Sequence, residues 1–214
     1  MILLALETAT DVPTLALGGG GGGGGGAASR VLAHRRELSR TIDAEVAALL
    51  AVGGRRIADL DGVVIADGPG SFTGLRIGAA FAKGLCRAAG LPLYVAPSML
   101  GAARARGQRG GTILVEYDAL RGDVYRAAYR FAPDATAVDT LLAPGLARPG
   151  EPPAVEPSSI LARAGPADAG AEQLLRLVGV PGGAHAVADP ATFEPAYGRP
   201  AEAEARRLAR REPA

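Results

Sequence analysis

Asp67-Gly68-Pro69-Gly70-Ser71-Phe72-Thr73-Gly74-Leu75-Arg76 joins two segments of opposite character. Before it, Val63-Val64-Ile65-Ala66 is a continuous apolar, β-branched run, the pattern of a strand covered on both faces. After it, residues 71–89 carry helical periodicity and end at Gly90. A strand, a glycine loop and a helix N-terminus together make the general geometry of an anion site, because free backbone N–H groups and the positive dipole end converge there. The named motifs fail all the same. A P-loop needs a Gly-Lys pair where Thr73-Gly74 stands, and the dinucleotide fingerprint needs its third glycine at the Thr73 position and an acid that Leu93-Tyr94-Val95 does not supply. Two readings therefore stand: a tight turn in which Gly68 and Gly70 relieve the backbone and Ser71 caps the helix, or an anion-binding loop.

Upstream, residues 2–6 form a short apolar strand, and residues 12–17 return after the polar Glu7-Thr8-Ala9-Thr10-Asp11 turn, which predicts a hairpin. Nine consecutive glycines follow, residues 18–26, before a third strand at 30–33. Such a run packs no side chains and loses the most backbone entropy on ordering, so it predicts a mobile hairpin tip. Leu38, Ile42, Val46, Leu49 and Leu50 recur on one helical face that Gly53-Gly54 terminates. Residues 91–95 predict a strand, and Pro97-Ser98 opens a third helix that ends by Gly107. A boundary placed there gives residues 1–107 as one α/β domain and residues 108–214 as a smaller one. The second opens as the first does, with strands at 112–116 and 124–131 around the Asp118-Ala119-Leu120-Arg121-Gly122-Asp123 turn. Beyond Pro144 the chain is rich in Ala, Pro and Gly, with one helical stretch at 172–178.

The helix after the loop is the more informative feature. At ~100° per residue its charged positions, Arg76, Lys83 and Arg87, fall within about 40° of one another. The rest of its circumference is apolar or small. Ile77, Phe81 and Leu85 line one side; Leu75, Ala79, Ala82 and Cys86 line another. One face packs on a sheet, and the other predicts a partner, from this chain or another.

Composition removes several functions. Of 214 residues, 48% are hydrophobic and 21% charged, an ordinary core-forming balance, and a net charge of +1 gives no global field toward nucleic acid or membrane phosphates. Cys86 is the single cysteine, which excludes an internal disulfide and points to a reducing, cytoplasmic setting. The apolar start lacks a basic leader, and no stretch reaches the ~18 to 20 apolar residues of a membrane span. His34 and His185 are far apart in sequence, so no paired-histidine metal motif exists. Glu7, Asp11 and Asp67 are the carboxylates that could gather at strand ends around Mg²⁺ and a nucleotide. The basic run Arg206-Arg207-Leu208-Ala209-Arg210-Arg211 reads as a solvated helix end, with contact to tRNA or a partner as the alternative.

Residues 2–10, 67–78, 118–125 and Phe193-Glu194-Pro195-Ala196-Tyr197-Gly198-Arg199, taken in order, resemble the TsaB (YeaZ) family. The match covers residues 1–131 and the C-terminal part, and Gly-Pro-Gly-Ser-Phe-Thr-Gly-Leu-Arg-Ile-Gly at 68–78 is its most specific segment. The resemblance implies an α/β, actin-like ATPase (ASKHA, ribonuclease H-like) fold of two α/β subdomains with mixed sheets. It implies a non-catalytic subunit that dimerises with TsaD, joined by TsaE, in the complex that forms N6-threonylcarbamoyladenosine in tRNA, with tRNA contacted through the complex and a homodimer when TsaD is absent. The implied interface residues are Ile42, Val46 and Leu49 on the first helix and Leu75, Ile77, Gly78, Phe81 and Leu85 on the second. No cofactor is required; ATP or ADP at the partner junction is the candidate ligand, with Thr8, Thr10, Gly68, Gly70, Ser71 and Thr73 as candidate contacts. Leu38-Ser39 stands where the family has His-Ser, and residues 145–188 match poorly. The competing class is an actin-fold ATP-binding protein, an ATPase or small-molecule kinase. A glycoprotease would need a metal site that the sequence does not display.

Overall fold

The structure, a computed structural model, describes residues 1–20, 28–32, 37–107 and 110–198. Most of the glycine run, Ala33, His34 and the basic C-terminal run lie outside these residues. In chain order the elements are β1 (Ile2–Glu7), β2 (Thr14–Gly19), β3 (Ala28–Val31), α1 (Leu38–Val52), β4 (Gly62–Ala66), α2 (Phe72–Ala89), β5 (Leu93–Ala96) and α3 (Ser98–Arg106). They continue with β6 (Gly111–Asp118), β7 (Val124–Phe131), β8 (Val138–Ala147), β9 (Ile160–Ala164), α4 (Ala171–Leu175) and β10 (His185–Ala186).

Two mixed sheets result. The first has the order β10-β5-β4-β1-β2-β3, with β1, β4 and β5 parallel and the β1–β2 and β2–β3 pairs antiparallel. The apolar runs in its centre are explained by burial on both sides. Leu4 and Leu6 of β1, level with Val63 and Ile65 of β4, face α1 and α2, while Leu3 and Ala5 face the core that α3, α4 and the second sheet share. All of these side chains are essentially inaccessible, and burying each large one stabilises by about 1.5–3 kcal/mol.

The second sheet has the order β8-β7-β6-β9, with β6–β9 parallel and the other pairs antiparallel. This repeats the 3-2-1-4 order of the first sheet, although no repeat is legible at the residue level. It is the mixed-sheet, hairpin-opened α/β architecture of the actin-like fold. In the first half, α1 connects β3 to β4; in the second, the β8-to-β9 connection carries only a 3₁₀ turn at Pro157–Ser159. Two later elements return to the first sheet: α4 packs on β1 and β2, and β10 pairs with β5.

Local chemistry sets the element ends. Ser71 caps α2 by accepting from the Gly74 N–H, and Gly90 closes the helix with φ 67°, a left-handed conformation that favours glycine. Several features were not expected. Gly18 and Gly19 are paired in β2 opposite Leu3 and Ile2, because the partner strand supplies the ladder whatever the side chain. β8, β9 and β10 were missed, and α4 ends at Leu175, earlier than the 172–178 pattern predicts.

Candidate functional site

α1 and α2 lie side by side on one face of the first sheet and leave a groove of about 420 Å³ between them. Ala47 and Leu50 of α1, Ile57 of the following 3₁₀ turn, and Ala80, Phe81 and Leu85 of α2 line it, with Asp43 as its charged residue. Ala47, Ile57 and Ala80 are exposed, and Phe81 and Leu85 are half-buried. An apolar channel with accessible walls is what a second protein's side chains can fill.

The burial pattern sorts the expected interface residues. Phe81 and Leu85 line the groove, Val46 forms its floor, and Ile77 is half-buried beside them. Ile42, Leu49 and Leu75, like Val46, are each under 5% exposed and pack in the protein's own core. Gly78 is a third kind of case, turned to Thr8. Sequence reasoning missed Ala47, Ile57 and Ala80. Ala80 and Gly84 were legible as small residues one turn apart; Ile57 had no periodic signal at all.

The glycine loop after β4 is packed against its own chain. A Cβ on Gly70, Gly74 or Gly78 would collide with Ala9 O, Thr8 O or Thr8 Oγ1 respectively, so the three glycines, spaced four apart, let α2 press onto the β1–β2 turn. Ser71 N donates to Ala9 O at 2.7 Å, and Ser98 N to Gly68 O at 2.9 Å. On the outer side Ala196 N donates to Asp67 O at 2.7 Å, and a side chain on Gly68, whose φ is 114°, would strike Ala196 O. The candidate nucleotide contacts are therefore only partly assembled. Gly70 and Ser71 both meet Ala9, while Thr8 is 2% exposed against Gly74 and Gly78. Thr10 is buried and donates to Val12 O, and Thr73 points to solvent. This packing favours the tight-turn reading over the anion-binding one.

The segment of residues 193–197 lies along another edge of α2. Lys83 Nζ donates to Phe193 O at 2.8 Å and pairs with Glu194 at 3.6 Å, and the Tyr197 ring lies 4.7 Å from that of Phe72. It occupies the charged edge of α2, which leaves the Ala80–Phe81 edge open.

Below the loop, Glu7 and Asp67 end β1 and β4 close to Tyr117 and Tyr129 of the second sheet. Glu7 is fully buried; its Oε1 accepts from Ala9 N at 2.7 Å, and its Oε2 has no hydrogen-bond partner. Burial pushes the Glu7 carboxyl up to about 7, against the pull of the Ala9 and Thr10 N–H groups and with a further push from Asp67. Burial likewise raises Asp67 to about 6, offset in part by His185. The Tyr117 hydroxyl donates to Ser98 O at 3.1 Å, while the Tyr129 hydroxyl is buried without a partner. Asp11, expected alongside these acids, is exposed, and among the described residues no three His, Cys, Asp or Glu side chains converge as a metal site. Among the same residues no helix is long and apolar enough to cross a membrane.

Comparison with known proteins was made on this geometry. The family described as "TsaD: tRNA N6-adenosine threonylcarbamoyltransferase" matches residues 31–152. An uncharacterized protein of Mycobacterium tuberculosis is 37% identical over 126 residues, 59% of this chain and 58% of its own length. The Escherichia coli tRNA threonylcarbamoyladenosine biosynthesis protein TsaB is 33% identical over 136 residues, 61% of this chain and 55% of its own. The chain thus aligns with little more than half the length of these curated relatives. Among solved structures, a Pseudomonas aeruginosa protein described as similar to peptidase YeaZ superposes with a TM-score of 0.77 at 22% identity, over 92% of this chain and 99% of its own, which establishes the shared fold.

Proposed function

We propose, because the chain belongs to the TsaD family and within it to the TsaB (YeaZ) group, that it is the non-catalytic scaffold and activating subunit of the complex forming N6-threonylcarbamoyladenosine in tRNA. Its partner is TsaD, with TsaE joining the pair and tRNA reached through the complex in the cytoplasm. When TsaD is absent, a second copy takes the same face. The observation that carries this reading is the apolar groove between α1 and α2, whose accessible walls a partner helix pair can fill. The packing of the glycine loop supports it too, since a loop filled by Ala9 and Ala196 offers a nucleotide little space of its own. An ATP or ADP held at the junction then depends on the partner's residues for most of its contacts.

The test uses Ala80→Glu and Ala47→Glu, both at exposed positions of the groove wall. Each variant is expected to melt as the wild type does, to lose co-elution with TsaD, and to abolish the chain's stimulation of threonylcarbamoyl transfer to tRNA. Undiminished complex and activity in both would overturn the groove as the docking face. Transfer by this chain without TsaD would overturn the scaffold role itself.

A further inference from the structure

Among the described residues that line the α1–α2 groove, Asp43 alone is charged. It stands in the second turn of α1, one turn before Ala47 on the same face, so its carboxylate belongs to the groove wall. It is exposed, and among the described residues no hydrogen bond or ion pair engages it. The next acid of α1 is different: Glu45 is half-buried and pairs with Arg30 of β3. Arg76 and Lys83 of α2 and Arg56 after α1 are engaged elsewhere. Arg76 lies over the Phe72 ring at 5.4 Å, Lys83 holds Phe193 O and Glu194, and Arg56 pairs with Asp59 at 3.3 Å. Arg40, three residues before Asp43, forms no ion pair with it, and a base N-terminal to its acid is the weaker order on a helix. The groove therefore contains an acid and no counter-charge of its own. Whatever fills it removes water from that carboxylate, which is strongly unfavourable unless the occupant brings a cation.

We infer that the partner element docking in this groove carries an arginine or lysine among its apolar residues, placed to pair with Asp43, and that this pair selects a different protein over a second copy of the chain. The inference rests on the scaffold reading, which supplies the partner, and adds the chemistry of its docking face. A closed two-fold pair brings the same patch from both copies together, so a second copy contributes a second Asp43 and no cation from the groove. A different protein is under no such constraint. Apolar walls supply contact area to either occupant, whereas the lone acid favours one and penalises the other, which is how charge sets partner choice at an interface. Self-pairing through this face is then the weaker alternative, taken when the partner is absent.

The full chain and its Asp43→Asn and Asp43→Lys variants are titrated calorimetrically against TsaD at low and high salt, and each is followed alone by sedimentation equilibrium. Asp43 is exposed, so both variants should melt as the wild type does. Asp43→Asn keeps the shape and removes the charge; it is expected to weaken TsaD binding roughly tenfold or more, and Asp43→Lys, which sets like charges together, to weaken it further. Added salt should weaken the wild-type complex more than the Asp43→Asn complex. In the chain alone, Asp43→Asn should self-associate as tightly as the wild type or more tightly, because a repulsive charge is gone. A generic surface contact would instead lose both associations together. Equal TsaD affinity and equal salt dependence in wild type and Asp43→Asn would overturn the inference and leave the scaffold reading standing. Parallel loss of TsaD binding and self-association would also overturn it. Failure of the wild type to bind TsaD at all would overturn the scaffold reading, and the inference with it.

Discussion

Glu7→Gln tests whether the buried acid beneath the loop is held against its charge. In the folded protein the Glu7 carboxyl titrates at about 7 in place of 4.5, so the folded state holds a proton that the unfolded chain releases. For an acid raised in this way the associated stability is fully present below the unfolded value and is lost as pH rises through the folded one. At 1.36 kcal/mol per pKa unit the full span is about 3 kcal/mol, and about 2 kcal/mol of it falls between pH 5.5 and pH 8. Gln is nearly isosteric, keeps an oxygen for the Ala9 N–H, and cannot ionise. It places an amide where Oε2 has no partner, at a cost of about 1 kcal/mol, so the variant should exceed the wild type by about 2 kcal/mol at pH 8 and not at pH 5.5. Urea unfolding across this range, followed by far-ultraviolet circular dichroism, measures both curves. Asp67 titrates in both proteins and also pushes on the Glu7 carboxyl, so the comparison is repeated in an Asp67→Asn background to separate its contribution. Parallel curves, with the gap between them independent of pH, would refute the reasoning.

Other substitutions separate structural glycines from surface ones. Gly74→Ala and Gly78→Ala drive a methyl into Thr8 and should each destabilise by about 1–3 kcal/mol in chemical denaturation. Gly84→Ala meets nothing within 4 Å, so it should stabilise the free chain by about 0.5–1 kcal/mol as an ordinary helix substitution, while its added methyl in the groove weakens pairing measured by co-elution. Ser71→Ala removes the cap on α2 and should cost about 1 kcal/mol. Cys86 is buried and its thiol is pushed up to about 11 by burial, so a thiol-reactive dye should label it only at the rate of unfolding; rapid labelling of the native protein would contradict the packing of α2.

The first half of the fold was legible because its physics is periodic. β4 and β1 announced themselves as unbroken apolar runs, α1 by the spacing of Leu38, Ile42 and Val46, and α2 by Ser71 at one end and Gly90 at the other. Beyond residue 131 those signals fail. β8 is an edge strand whose residues are mostly exposed, so nothing enforces alternation in Val-Asp-Thr-Leu-Leu-Ala-Pro-Gly-Leu-Ala, and Pro144 argues against it. β9 and β10 are short and are held by the partner strands they join more than by their own side chains. The site was legible to the same degree. Periodicity identified α2 and its apolar sides, but it gives every apolar residue of a helix the same standing and cannot divide Leu75, which faces the sheet, from Phe81, which faces the groove. The unpartnered atoms of Glu7, Arg104 and Tyr129 were invisible, because a missing partner is a fact of three dimensions.

The loop and the groove, which look like separate features in the sequence, are two consequences of how α2 is mounted. Gly70, Gly74 and Gly78 remove every side chain between the start of α2 and the Thr8–Ala9 backbone, so the helix is fixed in both height and rotation at that end. With rotation fixed, Leu75, Ala79, Ala82 and Cys86 must enter the core, and Lys83 must meet the backbone at Phe193. The sector that remains holds Ala80, Phe81, Gly84 and Leu85, and α1 stands opposite it across the groove. A bulkier residue at Gly74 would therefore act at a distance: it would lift or turn α2 and move Phe81 within the groove while touching nothing there. Gly74→Ala should for that reason weaken partner binding even under conditions where the variant is fully folded, whereas Ser71→Ala, which removes a hydrogen bond but adds no volume, should lower stability and leave the affinity of the folded fraction unchanged. Equal affinity loss in the two variants would mean that the helix is positioned by its cap, and the glycine stripe would then be only a permissive feature of the packing.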